Sequence, residues 1–452
     1  MTTATTSETG LGWRTHGVLA LLVTAYAGSF IGRQIMSVMI EPIKLEFGVS
    51  DTAMGLLSGL VFAAFYALLG LPAGRLADRH SRMRVLAIAA VLWALATLLC
   101  GLAMSFFMLA LARMLVAATE APVMPASLSL IADLYPAHNR SLAISCFTGA
   151  PTLSAILGLS VGAWLVDVYG WRTGFMLIAA PLLLLSLVFG FVVREPSRGR
   201  WDAVSTHPVP GETLTQSALE LLRNRPYLLL MSASSLTTFG AYAFGMWNTT
   251  FLMRSHDLSL QHAGILAGVV SGASMAVGGL FSGWLTDRLS ALNRAWLLRI
   301  PLLGHVVGLI GMALYLLAPK GTLFMLGGLP VPTAMLWAAL SGFFAIWWVA
   351  ASFNLLTQLV SPWQRGTAIA LQTIFSTLLG IGLGPLAAGL LSDALSTTFG
   401  HESLRYALLV VSCSLFAPLA LLLTLYRARA YQETSPVRTP APSAIPLAAC
   451  AD

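Results

Sequence analysis

Long apolar runs alternate with short polar breaks along the whole chain. A membrane-spanning helix needs about 20 mostly apolar residues. Twelve runs meet that length: 17–39, 52–73, 84–105, 107–131, 141–166, 173–193, 226–250, 262–284, 296–318, 333–359, 366–392 and 404–426. Their apolar character runs all round rather than along one stripe, as helices surrounded by lipid require. Gly158 and Gly162, and then Gly380, Gly382, Gly384 and Pro385, sit inside runs five and eleven. Membrane bundles tolerate such residues and use the small ones for close packing. The pattern predicts an all-α membrane protein with twelve transmembrane helices.

The polar breaks divide the chain. The longest, about 195–225, holds Pro196, Gly199, Pro208, Pro210 and Gly211. The expected organisation is an N-terminal tail (1–16), a six-helix half (17–193), a linker (194–225), a second six-helix half (226–427) and a tail (428–452). The last is rich in Pro, Ser, Thr and Ala and reads as disordered. The halves repeat each other. Gly74-x-x-x-Asp78-Arg79, followed by Arg82 and Arg84, comes after the second run of the first half. Gly283-x-x-x-Asp287-Arg288 holds the same place in the second. Pro136-Ala137-His138-Asn139-Arg140-Ser141-Leu142-Ala143-Ile144 is matched by Pro362-Trp363-Gln364-Arg365-Gly366-Thr367-Ala368-Ile369, each before the fifth run of its half.

Composition narrows the class. The 452 residues are 57% hydrophobic and 10% charged, against about 25% charge in soluble domains, so a water-facing surface cannot be covered. The net charge of +7 lies in short loops, not in a patch with interleaved aromatics, which excludes a nucleic-acid partner. Breaks after even-numbered runs hold most of the arginines, among them Arg75, Arg79, Arg82, Arg84, Arg140, Arg288 and Arg294. The other side has Lys44, Arg172, Arg254, Lys320 and Arg405. The positive-inside rule then places both termini in the cytoplasm. Cys100, Cys146 and Cys413 lie in apolar runs without metal-ligand spacing. The first run is too long for a signal-peptide core and reads as a retained helix.

Charge deep in the runs is rare, and there it marks function or a paired structural site. Glu120 is the deep acid, and Arg33 and Arg113 are the deep bases. Arg113 and Glu120 are seven residues apart, two helical turns along one face. Arg33 and Arg113 are expected to hold an anionic head group or Glu120, with Glu120 the candidate for protonation; a fixed ion pair joining helices 1 and 4 is the alternative. Tyr242, Trp247, Asn248, Trp347, Trp348, Asn354 and Gln372 form a candidate cavity wall, although Trp and Tyr also populate membrane interfaces. His305 reads as a packing histidine. The loops supply candidate conformational latches: Gly74, Asp78, Arg79 and Arg82; Asp133 with Arg140; Asp287 with Arg288. Asp78 would pair with a neighbouring helix end in the outward-open state only. Arg82 and Arg84 otherwise read as topology charges. No catalytic pair, nucleophile triad, phosphate loop or metal cluster is visible, so neither an enzyme nor a cofactor is expected.

The Gly-x-x-x-Asp-Arg turns resemble the loop signature of the major facilitator superfamily. Further stretches narrow the likeness: Arg33-Gln34-Ile35, Glu41-Pro42-Ile43-Lys44, Ser50-Asp51, Thr119-Glu120-Ala121, Gly170-Trp171-Arg172, Gly389-Leu390-Leu391-Ser392-Asp393 and Ser403-Leu404-Arg405-Tyr406-Ala407-Leu408. Over about 20–425 the chain resembles the bacterial branch of the spinster-like transporters. The resemblance implies two six-helix halves rocking around a midplane site, lined by helices 1 and 4, in the bacterial inner membrane. It also implies a monomer among membrane lipids, with an amphipathic lipid or another small molecule as substrate. A carrier of small organic acids or drugs, and a non-transporting receptor or sensor, are the other readings. Family members usually carry Asp before the helix 1 arginine; here Gly32 stands there, leaving Glu120 as the candidate for proton coupling.

Overall fold

The computed structural model describes residues 13–191, 195–197, 214–361 and 364–433. The expected N-terminal tail up to residue 12, the linker stretch 198–213 and the tail from 434 lie outside them. Ten described stretches are long and apolar enough to cross a membrane, but Leu142–Leu184 has 43 residues and Arg365–Arg427 has 63. At 1.5 Å per residue, the longer would run about 95 Å through a hydrocarbon core of about 30 Å. Both stretches reverse instead, at Gly170 (φ 77°) and near Gly400 (φ 52°), a backbone region that only glycine enters cheaply. Twelve crossings result.

In chain order these are α1 (Trp13–Phe47), α2 (51–79), α3 (Arg82–Gly101), α4 (106–134), α5 (137–169) and α6 (171–191). The second half has α7 (Arg225–His256), α8 (260–292), α9 (Trp296–Leu317), α10 (334–359), α11 (365–399) and α12 (403–433). Local chemistry sets many of the starts. Ser50, Ser81, Ser105, Asn224 and Ser259 each precede a helix and accept a hydrogen bond from a backbone N–H three residues on. These are N-caps, satisfying donors that a helix start leaves unpaired. One-turn π segments interrupt α2 (Leu56–Val61), α8 (Ala267–Ser271) and α11 (Ser376–Gly382).

Three features depart from the sequence expectation. α1 runs on to Phe47, well past residue 39. A helix, Leu214–Arg223, forms inside the expected linker and buries Leu221 among Tyr227, Leu298 and Leu356. Between α9 and α10 stands an antiparallel hairpin, β1 (Thr322–Leu326) and β2 (Leu329–Pro332). Its turn, Gly327-Gly328, has positive φ at both residues, which suits the twist of a two-residue hairpin.

The halves meet unevenly. At the end carrying Asp51, one continuous core joins Ile35, Met54, Trp93 and Phe175 of the first half to Trp247, Phe251, Tyr315 and Leu404 of the second. At the opposite end, which carries Arg82, the core is split: Tyr26, Met83, Leu130 and Phe147 pack within the first half, and Tyr227, Leu298, Leu356 and Leu425 within the second. Small residues permit the close approach. A Cβ on Gly55 would lie 2.5 Å from the Pro385 carbonyl of α11, and one on Gly264 of α8 would collide with Ala163 of α5. Among the described residues, the halves therefore share one buried core at the Asp51 end and have separate cores at the Arg82 end.

Candidate functional site

Midway along the bundle, α1 and α4 bring the deep charges together. Glu120 is the last residue before α4 breaks at Ala121-Pro122; Pro122 and Pro125 have no N–H to continue the ladder. Arg33 Nη2 lies 2.8 Å from Glu120 Oε1. Glu120 and Arg113 are each 2% exposed, and Arg113 Nη1 reaches the Gly32 carbonyl at 3.5 Å. Three rings surround the Arg33 guanidinium, with centroids at 4.6 Å (Phe30), 4.7 Å (Phe62) and 4.8 Å (Tyr66). Phe62 also receives Arg113, at 5.3 Å. A cation over an aromatic face is attracted by the ring quadrupole, so the arginine is held in an apolar setting without full neutralisation. From the second half, Tyr242 on α7 interacts with the same guanidinium. The site thus spans both halves.

Two properties of this cluster matter for chemistry. Two guanidiniums face one carboxylate, a formal excess of one positive charge. Its hydrogen bonding is also incomplete: Glu120 Oε2, Arg33 Nε and Arg113 Nε are buried without a hydrogen-bond partner in the structure. The Arg33–Glu120 contact is a close ion pair. Gly32 has a packing reason as well. A Cβ there would come 2.7 Å from the Trp93 ring, so an aspartate at this position requires that ring to move.

The other expected wall residues take different places. Asn248 is buried and accepts from the Tyr315 hydroxyl at 2.7 Å, joining α7 to α9. Trp347 packs against Phe281, Phe343 and Phe344, and its indole N–H has no partner in the structure. Asn354 accepts from Gln358 on the next turn of α10 at 2.8 Å. Gln372 is buried on α11 with its carbonyl oxygen unpaired. His305 is bridged on both sides, 2.8 Å from the Pro301 carbonyl and 2.8 Å from Thr237 Oγ1.

The expected latch residues are equally varied. Arg82 is not a solvated topology charge. It is 2% exposed and ties three segments together: Asp133 at 2.5 Å and Ser129 Oγ at 2.9 Å on α4, and Glu195 at 3.0 Å beyond α6. Arg140 donates to the Ala132 carbonyl at the end of α4, at 2.7 Å. Arg79, Asp287 and Arg288 are exposed, with Arg288 over Trp284 at 5.4 Å. Gly74 and Asp78 lie within α2, and the Asp78 side chain is not among those described.

A network not anticipated from the sequence closes the other end. Asp51, at the start of α2, accepts from Arg254 of α7 at 2.7 and 2.9 Å, from Lys44 at 2.6 Å and from Ser392 of α11 at 2.7 Å. Arg254 also donates to Glu41 at 2.8 Å. Asp393 accepts from the backbone N–H of Asp51 at 3.1 Å and of Thr52 at 2.7 Å, and from the Thr52 hydroxyl at 2.6 Å. A carboxylate on unpaired N–H groups at a helix start is favourable both as an acceptor and through the helix dipole. The signal lay in Glu41, Lys44, Asp51, Arg254 and Asp393 all falling in breaks on one side, but pairing across some 200 to 340 residues is invisible in linear order.

Twelve crossings in two halves around a charged midplane site define a membrane transport protein, not an enzyme. The model of the Major Facilitator Superfamily matches residues 22–331. An MFS-type efflux pump of Mycolicibacterium smegmatis is 31% identical over 88% of this chain and 89% of its own length. A sphingosine-1-phosphate transporter of Danio rerio is 26% identical over 84% of this chain and 78% of its own. A solved bacterial homolog of the human lysosomal transporter Spinster, inward-facing and unoccupied, superposes with a TM-score of 0.82 and 26% identity, covering 93% of this chain and 99% of that one. The chain belongs to the major facilitator superfamily, as a spinster-like transporter.

Proposed function

We propose that this transporter moves an amphipathic anion of the lysolipid type by alternating access, with Glu120 as the proton-carrying group. The observation that carries the reading is the buried cluster of Arg33, Arg113 and Glu120: it has one positive charge in excess and several unmet hydrogen bonds, and it faces the opposite half through Tyr242. An anionic head group would supply the missing acceptors, and charge-assisted hydrogen bonds are the strong ones. The rings of Phe30, Phe62 and Tyr66 suit the start of an acyl chain better than a sugar, which needs many polar partners. The similarity to a sphingosine-1-phosphate transporter supports the same class. Proton uptake by Glu120 would release Arg33 to the substrate.

In this reading the Arg82 end, with both termini, faces the cytoplasm of a bacterial inner membrane, which the excess of arginine at that end supports. With the Asp51 end closed, the state is inward-facing, in keeping with the likeness to an inward-facing homolog. The Asp51–Arg254 network is then the outer gate, and Arg82 braces the first half while it moves. A carrier of small organic acids or drugs is the second reading. The similarity to a mycobacterial efflux pump favours it, with the arginines acting as a carboxylate clamp.

A thermal-shift screen tests both readings, because a ligand that prefers the folded state raises its apparent stability. Lysophospholipids and sphingoid phosphates are compared with short aromatic and aliphatic acids, in the native protein and in Arg33→Ala. Stabilisation by lysolipids that needs both head-group charge and Arg33 is expected. Stabilisation by small acids alone would replace the lipid reading with the second. For coupling, Glu120→Gln in proteoliposomes should lose pH-driven uptake and keep substrate exchange; unchanged pH dependence would remove Glu120 from the mechanism.

A further inference from the structure

The β1–β2 hairpin carries apolar residues where a water-facing hairpin would not. Leu323, Phe324, Met325 and Leu326 are consecutive and 42%, 50%, 61% and 62% exposed. Successive residues of a strand point to opposite faces, so both faces of β1 are apolar. β2 differs: Leu329 packs on the core and Val331 is buried within it. The hairpin is thus seated on the bundle by one strand and holds the other away from it.

A protein partner would cover one face of such a strand. Two apolar faces call for a medium that surrounds it. The surface leading to the hairpin identifies that medium. On α9, Leu303, Val306, Ile310, Leu314 and Leu317 are exposed large apolar residues, and their spacing of three and four residues puts them on one helical face. That face abuts the bilayer, and it runs directly into the hairpin five residues later. On the far side, Leu336 and Trp337 at the start of α10 are exposed as well. Tryptophan is enriched at the level of the lipid head groups.

We propose that β1 inserts into the interfacial layer of the membrane at the Asp51 end, as a lipid-contacting anchor of the second half. Depth follows from hydrogen bonding. β1 is an edge strand, with unpaired N–H and C=O groups on its outer side, and such an edge cannot enter the hydrocarbon core. The head-group layer offers water and phosphate to that edge and acyl carbon to the side chains. Lys320, just before β1, pairs with Asp257 at the end of α7 at 2.5 Å. This exposed pair marks the polar level at the base of the hairpin.

Site-directed spin labelling in lipid bilayers tests this. Single cysteines replace Phe324, Met325 and, as a control, Lys320, in a background where Cys100, Cys146, Cys413 and Cys450 are serine. Thermal melting checks that each variant folds. At 324 and 325, which face opposite sides of the regular part of the strand, collisions with oxygen should exceed those with a water-soluble nickel chelate several-fold. At 320 the order should reverse. Greater nickel access at 324 or 325 would put the hairpin in water. Low access to both reagents would mean that protein, such as a second copy of the chain, covers it. Either result overturns the proposal.

Discussion

The two charged clusters of this transporter contain similar groups and treat them in opposite ways. At the Asp51 end, each carboxylate oxygen of Asp51 and Asp393 has at least one donor, and the donors come from both halves. At midplane, Glu120 pairs with Arg33 through one oxygen, its other oxygen is buried without a donor, and Arg113 makes a long contact to a carbonyl. A satisfied buried network specifies one arrangement, whereas an incompletely satisfied one remains costly until something completes it. The first joins residues of both halves. In the function proposed above, the second is completed by a charge that comes and goes. Polar groups buried at bilayer depth therefore do not have one meaning, and the filling of their hydrogen bonds is what tells the two clusters apart.

Substitution can break this contrast, most severely at the gate. Asp51→Asn removes the charge that pairs Lys44 and Arg254, and breaking a buried pair costs about 3–5 kcal/mol. The balance between closed and open at the Asp51 end should shift by about two to four powers of ten. Spin-label distances between Leu45 and Thr397 should lengthen accordingly, and an unchanged distribution would show that apolar packing alone holds the gate. At the site, Arg33→Ala should weaken binding of an anionic ligand by about tenfold or more, as expected for charge-assisted hydrogen bonds of about 1.5–3 kcal/mol. The same distances should stay as they are. A variant that moves both readouts would merge the two clusters into one device.

Smaller effects are expected away from the path. Burial raises the proton affinity of Glu195, but hydrogen bonds from Ser81 and Arg82 outweigh it and hold the carboxyl below the usual range. A lowered folded pKa means that the contribution is fully present above the ordinary carboxylate pKa of about 4.3. It disappears as pH falls through the folded value. Glu195→Gln should thus lower stability by about 1–2 kcal/mol at neutral pH. The gap in melting temperature from the native protein should narrow on acidification through that range, and a pH-independent gap would assign the loss to packing. The smallest effect is expected for Asp257→Asn. Lys320 holds the Asp257 carboxyl below its usual range, but the pair is exposed to solvent and screened, so no change in melting temperature should be measurable.

Several residues show where sequence reading stops. The closeness of Arg33 to Glu120 was legible, because charge at bilayer depth must find a partner and few candidates exist. The burial of Arg82 was not: a loop arginine serves topology in most membrane proteins, and only the convergence of α4 and the segment after α6 makes it a brace. Asn248 and Trp347 were expected at a cavity wall on residue type alone; the partners the structure gives them, Tyr315 of α9 for Asn248 and Phe281 of α8 for Trp347, depend on how neighbouring helices pack. The hairpin did carry a signal, since Gly327-Gly328 between apolar residues favours a tight turn. It sits, however, in a break that is otherwise an ordinary loop between helices.

What the chain determined by itself is the set of crossings, their grouping in two repeats and the short list of charges that the interior must accommodate. These follow from hydropathy and from the energy of burying charge, which act residue by residue along the chain. Tertiary structure decided which end is closed, which charges are satisfied and which are left waiting. Those depend on residues hundreds of positions apart, such as Asp51 with Arg254 and Asp393, meeting at distances of a few ångströms, and no local pattern encodes a distance between helices.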